Sequence, residues 1–303
     1  MDKLVTIGFP IFNRPIEMKR ALDSLLSQSY SNIEIIISND NSPNPEIDRI
    51  VCEYLNKDSR IKYFLQEKSL RTVENYFFVL QQGKGEYFMW LADDDWLDLS
   101  FIENCVSFLE SNLDYSVCEG KCIYQDNGVV LHSNSSNSST SNSRWVRSIK
   151  YYLKVSLNGY MYGLIRKSYL DKIEFENEIG FDWQIVGSLF YQGKVKVLDS
   201  TAHFLSKGGV SNQTSSLSSQ FKKSNFITRN FIGLGSSLNC ALYIFKSKVY
   251  KEILLYKLLL AILIFISSYM NTLRWDLLFL KRRLVKVLRI NKNGVIFNIN
   301  KDY

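Results

Sequence analysis

Short apolar runs alternate with amphipathic stretches through the first hundred residues. Residues 4–9, 33–37, 61–65 and 87–91 are rich in Ile, Val, Phe and Tyr, the composition of buried strands. Pro10 closes the first run, and Ser38-Asn39-Asp40-Asn41-Ser42-Pro43, a dense turn signal, closes the second. Residues 14–28 carry Ile16, Ala21, Leu22, Leu25 and Leu26 at helical spacing, and 46–55 and 72–82 read the same way. In the last of these, Val73, Tyr76, Phe77 and Leu80 share one face. Strands alternating with helices of this length predict an α/β fold, a Rossmann-like, mostly parallel sheet flanked by helices. Ligands of such sheets bind beyond the carboxyl ends of the strands. Three polar turns fall at such ends: 10–14, 38–42 and 93–95.

Further along, 101–110 reads as a helix, and 131–143 (LHSNSSNSSTSNS) is a polar low-complexity stretch expected to be a mobile loop or small disordered insert. Residues 149–157, 168–173 and 182–191 are candidate helices and 194–198 a short strand. Gly208-Gly209 opens a Ser/Asn/Gln-rich stretch, expected to be flexible, that runs to about residue 225. The end of the chain changes character. Residues 253–266 have Lys257 as their only charge, short of the ~20 apolar residues a membrane span needs. Lys281, Arg282, Arg283, Lys286, Arg289 and Lys292 follow, interleaved with Leu and Val.

The formal net charge of +7 comes from this region, because 246–303 holds 12 of the 37 Lys/Arg and only 3 of the 30 Asp/Glu. A near-neutral body with a basic, apolar tail fits attachment to an anionic membrane surface. A nucleic-acid module would line one face with basic and exposed aromatic residues instead, so no nucleic-acid partner is expected. The other reading of 226–303 is a helical lobe packed on the main domain or on a second subunit, giving a homo-oligomer. Of the five cysteines, Cys118 and Cys122 are four apart, but no second pair or His cluster completes a zinc site, which fits a reduced, cytosolic set. Residues 1–10 show neither a long apolar run nor a cleavage site, so no secretory signal is evident.

Three consecutive carboxylates, Asp93, Asp94 and Asp95, end the apolar run YFMWL. Their repulsion is unfavourable unless a cation or a solvated turn relieves it. Asp93 and Asp95 can both present oxygens to a hard ion such as Mg²⁺ or Mn²⁺, which would bridge a bound diphosphate. Asp94 is left to a sugar, a ribose or a metal-bound water; the plain alternative is a solvated turn that caps the next helix. Asp182, in Gly180-Phe181-Asp182-Trp183-Gln184, is either a helix cap or a base that takes a hydroxyl proton. Trp183 belongs to the core or to a sugar face. His132 borders the low-complexity loop, and His203 follows an apparent strand end, where a structural hydrogen bond, a phosphate or a metal would each suit it.

VTIGFPIFNR at 5–14, SLLSQSYSNIEIIISNDNS at 24–42, GKGEYFMWLADDDWL at 83–97 and GFDWQ at 180–184, in this order, resemble the family 2 glycosyltransferases. These are inverting enzymes with the GT-A fold that use nucleotide-diphospho sugars, and the nearest likeness is to the bacterial surface-polysaccharide and O-antigen type. The resemblance covers roughly residues 3–210 and implies a role for each matching position. Pro10, Phe12, Asn13 and Arg14 form the first nucleotide-side turn. The turn after the second strand usually offers an aspartate to the base; here Asn39 stands at that position, with Asp40 next. Arg71 faces the nucleotide or its phosphates. The Asp93–Asp95 turn holds the metal-bound diphosphate, Asp93 and Asp95 as ligands with His203 as a further candidate, and Asp182 is the general base. The segment 208–211 closes over the donor.

The donor implied is a UDP-sugar, with dTDP-, GDP- and CDP-sugars also compatible. The acceptor implied is a saccharide linked to polyprenyl diphosphate, at the cytoplasmic face of the inner or plasma membrane, with the protein peripheral. On this reading 1–225 is the catalytic domain, its nucleotide half about 1–100 and its acceptor half about 101–225. A transferase with a soluble or protein acceptor is the closest rival. A nucleotidyltransferase would need a Gly-rich phosphate loop near the first strand, and Gly8-Phe9-Pro10 is not one.

Overall fold

The computed structural model describes residues 2–126, 129–134, 137–155, 158–206 and 221–293. Its first part follows the predicted alternation: β1 (Val5–Ile11), α1 (Pro15–Leu26), β2 (Ile33–Asn39), α2 (Pro45–Leu55), β3 (Ile61–Leu65), α3 (Arg71–Gln82) and β4 (Tyr87–Trp90). β3, β2, β1 and β4 lie side by side in that order, every neighbouring pair parallel. β1 and β2 are buried along their whole length, as apolar strands covered on both faces should be. The buried Glu34 of β2 is kept there by three donors: Thr6 Oγ1, Lys84 N–H and Lys62 Nζ, each at 2.6 Å.

Pro10 does not end the first strand, contrary to its reading as a breaker. β1 continues to Ile11 because β4 pairs with it only as far as Gly8, which leaves Pro10 on a free strand side where no donor is needed. The second half adds β5 (Trp96–Leu97), α4 (Phe101–Ser111), β6 (Tyr115–Asp126), β7 (Val129–Asn134), α5 (Arg144–Tyr152), a 3-10 turn (Asn158–Tyr162), β8 (Leu164–Arg166), α6 (Lys167–Leu170), α7 (Phe181–Gln192) and β9 (Lys194–Ser206). β8, β6, β9 and β5 extend the sheet beyond β4, and only the β6–β9 pair among them is parallel. The whole is a nine-stranded, parallel-rich sheet flanked by helices.

Several expectations are corrected here. The stretch 131–143 is not simply a loose insert, since 131–134 belong to β7, paired with β6, and Ser139 bridges Val195 of β9 through two main-chain hydrogen bonds. Residues 135–136 lie outside the described residues. The short strand expected at 194–198 runs on to Ser206, because β9 bulges at Asp199, Ser200 and Thr201 between the pairs Gly120–Leu198 and Lys121–Ala202 and then rejoins β6. The helix expected at 149–157 starts at Arg144 instead, where Ser143 Oγ accepts the Val146 N–H.

After 221 come α8 (Phe226–Asn230), α9 (Ile232–Lys246) and α10 (Leu254–Asn293). These are not a detached tail. Cys240, Ile244, Leu260 and Ile264 share one buried cluster with Trp183, Ile185 and Leu189 of α7. The helical lobe therefore packs on the domain.

Candidate functional site

The three polar turns meet as their strand-end positions predict. Asp40 N–H donates to Ile11 O at 3.1 Å, and Phe12 N–H donates to Asp93 Oδ2 at 3.3 Å. Arg14 Nη1 sits between two carboxylates, 3.0 Å from Asp93 Oδ1 and 2.6 Å from Asp94 Oδ2. Asp94 and Asp95 are buried, and Asp93 is partly so. Burial pushes the Asp94 carboxyl up to about 7, its neighbours Asp95 and Asp93 push the same way, and Arg14 opposes them. Burial also raises Asp93, against the pull of Arg14. A turn so poor in compensating charge is built to receive a cation or a cationic group.

The turn has a second support that the sequence did not flag. Arg20 of α1 lays its guanidinium over Trp96 at 3.6 Å, and Trp96 stacks on Phe204 with ring centroids 5.3 Å apart. From there Arg20 Nη2 donates to Asp94 O at 2.9 Å and to Ser206 Oγ at 3.1 Å. Ser206 donates its hydroxyl to Asp94 O at 2.6 Å and its N–H to Asp95 Oδ1 at 2.9 Å. β9 thus delivers its last residue onto the acidic turn. In a linear reading Arg20 is one more charged residue on a helix surface, and only its packing on Trp96 distinguishes it.

The side chains of Asn39 and Asp40 are both engaged within the protein. Asn39 is fully buried; its amide donates to Asp48 Oδ1 at 2.9 Å and Tyr63 Oη at 3.0 Å, and its oxygen accepts the Ser42 N–H at 2.9 Å. These bonds tie its side chain to α2, β3 and the following turn. The Asp40 carboxylate accepts Leu70 N–H at 2.5 Å, Arg71 N–H at 3.1 Å and Ser69 Oγ at 2.8 Å, which anchors the start of α3. Among the described residues, only two non-glycine positions have positive φ, Asn41 (56°) and Arg71 (68°), and they flank this anchor. A left-handed arginine is strained and persists because the Asp40 contacts hold it. Phe12, Asn13 and Arg71 are exposed beside the turn, whereas Pro10 is buried within β1.

Asp182 lies in the first turn of α7, which the chain enters through Gly180 at φ 86°, a conformation glycine adopts without strain. The segment leading to it is tied to the first turns of α3: Asn177 Nδ2 donates to Glu74 Oε1 at 2.9 Å, and the Phe181 ring lies 6.0 Å from that of Phe77. Asp182 is partly exposed, in keeping with a group that meets substrate. Trp183 is a core residue, 6.2 Å from Trp275. The side chain of His132 and the segment 208–211 lie outside the described residues.

Residues 6–173 match the model of Glycosyl transferase family 2, more than half of the chain. The chain belongs to that family. It is 29% identical over 179 residues to the GalNAc(5)-diNAcBac-PP-undecaprenol beta-1,3-glucosyltransferase of Campylobacter jejuni, an alignment covering 59% of this chain and 56% of that one. It is 36% identical over 132 residues to an uncharacterized glycosyltransferase of Rickettsia felis, covering 42% and 21%. The chain thus spans about a fifth to just over half the length of these relatives. In fold it is similar to S. aureus TarS 1-349 in complex with UDP-GlcNAc, at TM-score 0.60 and 16% identity, over 81% of this chain and 67% of that one. The UDP complex of the same protein aligns over 98% and 94%, at TM-score 0.58 and 13% identity.

Members of this family commonly use a divalent cation, and the fit of these residues to one can be judged from His203. His203 is fully buried, its Nε2 is 3.5 Å from Asp95 Oδ2, and neither ring nitrogen has a hydrogen-bond partner. A buried imidazole with two unused nitrogens beside a buried carboxylate is a poor structural arrangement and a suitable pair of ligands. Among the described residues, no three His, Cys, Asp or Glu side chains converge as a ready-made metal centre. Asp95 and His203 therefore fit an ion that takes its remaining ligands from a diphosphate, the usual habit of Mg²⁺.

Proposed function

We propose that this family 2 glycosyltransferase moves a sugar from a nucleotide-diphospho donor, a UDP-sugar in the first instance, to a hydroxyl of a lipid-linked saccharide, with inversion. The observation that carries this reading is the buried Asp93–Asp95 turn, set at the joined carboxyl ends of β1, β2 and β4 in a chain of this family. UDP is favoured because the similar TarS fold is solved with UDP and UDP-GlcNAc. The lipid-linked acceptor is supported by the name of the Campylobacter relative and by the apolar α10. Such an acceptor places the protein at the cytoplasmic face of a bacterial membrane, as a peripheral enzyme.

The nucleoside lies against Phe12, Asn13 and the strained turn held by Asp40, with Arg71 at its edge. Asn39 acts indirectly by fixing the shape of that turn. Mn²⁺ or Mg²⁺, held by Asp95 with His203 and Asp93, would supply positive charge to the leaving diphosphate. Arg14, paired with Asp93 and Asp94, stands where it can also donate to the phosphates as they bind. Asp182 accepts the proton of the acceptor hydroxyl; the oxygen bonds to the anomeric carbon as the carbon–oxygen bond to the diphosphate breaks. The nucleoside diphosphate departs with that electron pair.

Calorimetric titration with UDP, dTDP, GDP and CDP, each with and without Mn²⁺, tests the donor site. Binding of one nucleotide that is lost without metal and in Asp95→Ala supports the reading. If a demonstrably folded protein binds none of the four, the donor assignment is wrong.

A further inference from the structure

The helix α10 is apolar on its outer side as well as on its inner one, where Leu260, Ala261 and Ile264 are buried. Its stripe facing the domain contains Ser267, Ser268, Thr272 and Asp276, all buried. Its opposite stripe, Leu255, Leu258, Ile262, Ile266, Met270 and Leu273, is 39–69% exposed. A surface helix of a soluble protein places its polar residues outward and its apolar ones inward. Ser268, Thr272 and Asp276 are bonded within the protein. Ser268 Oγ donates to Ile264 O at 2.7 Å, Thr272 Oγ1 donates to Ser268 O at 3.1 Å, and the Asp276 carboxylate accepts Gly233 N–H and Leu234 N–H at 3.0 and 2.9 Å. A Cβ on Gly233 would stand 2.8 Å from Thr272 Oγ1, so α9 and α10 approach through small residues, the packing used where the outer surface is lipid.

Charge selects the occupant of the outer stripe. Asp276 is the only acid in α10, and it is spent on α9. The exposed charges along the helix are Arg274 and Lys281, both basic, and the sequence continues with Arg282, Arg283 and Lys286. A second copy burying this stripe would leave that basic run without an acidic counterpart. An anionic bilayer supplies apolar depth and negative headgroups together. Leu254–Lys281 contains an 18-residue window of mean hydropathy 1.7 and is long enough to cross a membrane. Crossing is nevertheless prevented by its other side: Asn271 Nδ2 donates to Leu153 O at 2.9 Å, Trp275 meets Trp183, and Asp276 holds α9.

We propose that α10 lies flat in the interface of an anionic bilayer, its outer stripe in the acyl region and its basic end among the headgroups. The stripe from Leu255 to Leu273 is about 27 Å long at 1.5 Å per residue, so it sets the domain against the membrane along one flank. This deepens the proposed function and rests on it for its purpose, a lipid-held acceptor, but its test reads a separate property. The full chain is sedimented with phosphatidylglycerol–phosphatidylcholine vesicles and with phosphatidylcholine vesicles alone, beside the variant Leu258→Glu/Ile262→Glu/Ile266→Glu. Wild type should partition at least about tenfold more strongly to the anionic vesicles, and the variant should lose at least about tenfold of that binding. UDP titration of both proteins should be the same, which separates this outcome from failure of the donor site. Should the triple variant not fold, single Ile262→Glu should weaken binding in the same direction. Wild type remaining in the supernatant, or variants sedimenting like wild type, would overturn the proposal. So would light scattering that shows the stripe substitutions dissolving a dimer while vesicle binding is unchanged.

Discussion

Arg20 Nη2 and the main-chain oxygen of Asp94, 74 positions apart in the chain, are joined at 2.9 Å, which ties α1 to the acidic turn. The guanidinium reaches this position by lying over Trp96, the residue that follows the three aspartates, and Trp96 in turn lies on Phe204. The turn is thus clamped from α1 and from the end of β9, where Ser206 meets Asp94 and Asp95. Rigid support of this kind decides whether carboxylates stand where a diphosphate needs them.

Removing the clamp should cost function more than stability. Arg20→Met keeps much of the stem packed on Trp96 but loses both donors, and should lower kcat/KM by about tenfold or more, roughly 1.4 kcal/mol. Its melting temperature should stay within a few degrees of wild type, since the guanidinium is exposed on a helix surface. Arg20→Lys should not restore activity, because an ammonium cannot both stack flat and donate in the ring plane. Steady-state kinetics beside a thermal melt checks this, and full activity in Arg20→Met would remove the positioning role.

Asp182→Asn should leave UDP affinity within a few-fold of wild type and reduce turnover by about 10²–10⁴, the range for loss of a general base. Isothermal titration and a radiolabelled transfer assay on the same preparation separate binding from chemistry. Near-normal turnover would reassign Asp182 to the helix start, its alternative reading from sequence.

Asp40→Ala should act first on stability. The carboxylate accepts three donors at the entry of α3 and sustains the left-handed Arg71. Loss of such a capping group costs about 1–2 kcal/mol, with release of the Arg71 strain working the other way. Urea unfolding should show a lower midpoint with an unchanged slope. Nucleotide affinity should fall too if the turn shapes the donor site.

The nucleotide half was legible in the sequence because its signals are local. β1, β2 and β4 are apolar runs buried along their length and β3 is a half-buried edge strand, so their order and ends follow from pattern alone. The boundaries that moved did so for tertiary reasons: Pro10 stays in β1 because no strand pairs with it on the β4 side, and β9 runs on because it bulges at 199–201 and rejoins β6. The second half was less legible. β6 carries the fully buried Glu119, and α10 buries Ser268, Thr272 and Asp276 inward while exposing apolar residues outward, so hydrophobic periodicity misleads there. The acidic turn and Asp182 could be named from the sequence, but the internal commitment of Asn39 and the reach of Arg20 depend on partners distant in the chain.

Glu119 offers a test of the buried polar interior behind the site. It is fully buried on β6, its Oε1 accepts the Cys122 thiol at 2.7 Å, and its Oε2 has no hydrogen-bond partner. Gly159 permits this packing, since a Cβ there would stand 2.5 Å from Oε1. Burial pushes the carboxyl up to about 8, with the Cys122 contact opposing, so Glu119 carries its proton at neutral pH. The folded state therefore binds a proton that the unfolded chain releases near its ordinary value of 4.5. Its stabilising contribution is complete below that value and is lost as pH rises through about 8. The total over that window is on the order of a few kcal/mol. Glu119→Gln keeps the shape and removes the titration. Unfolding free energy measured between pH 5 and 9 should decline in wild type and decline less in the variant. Parallel curves would mean that Glu119 is charged and compensated in the fold, contrary to its unpartnered oxygen.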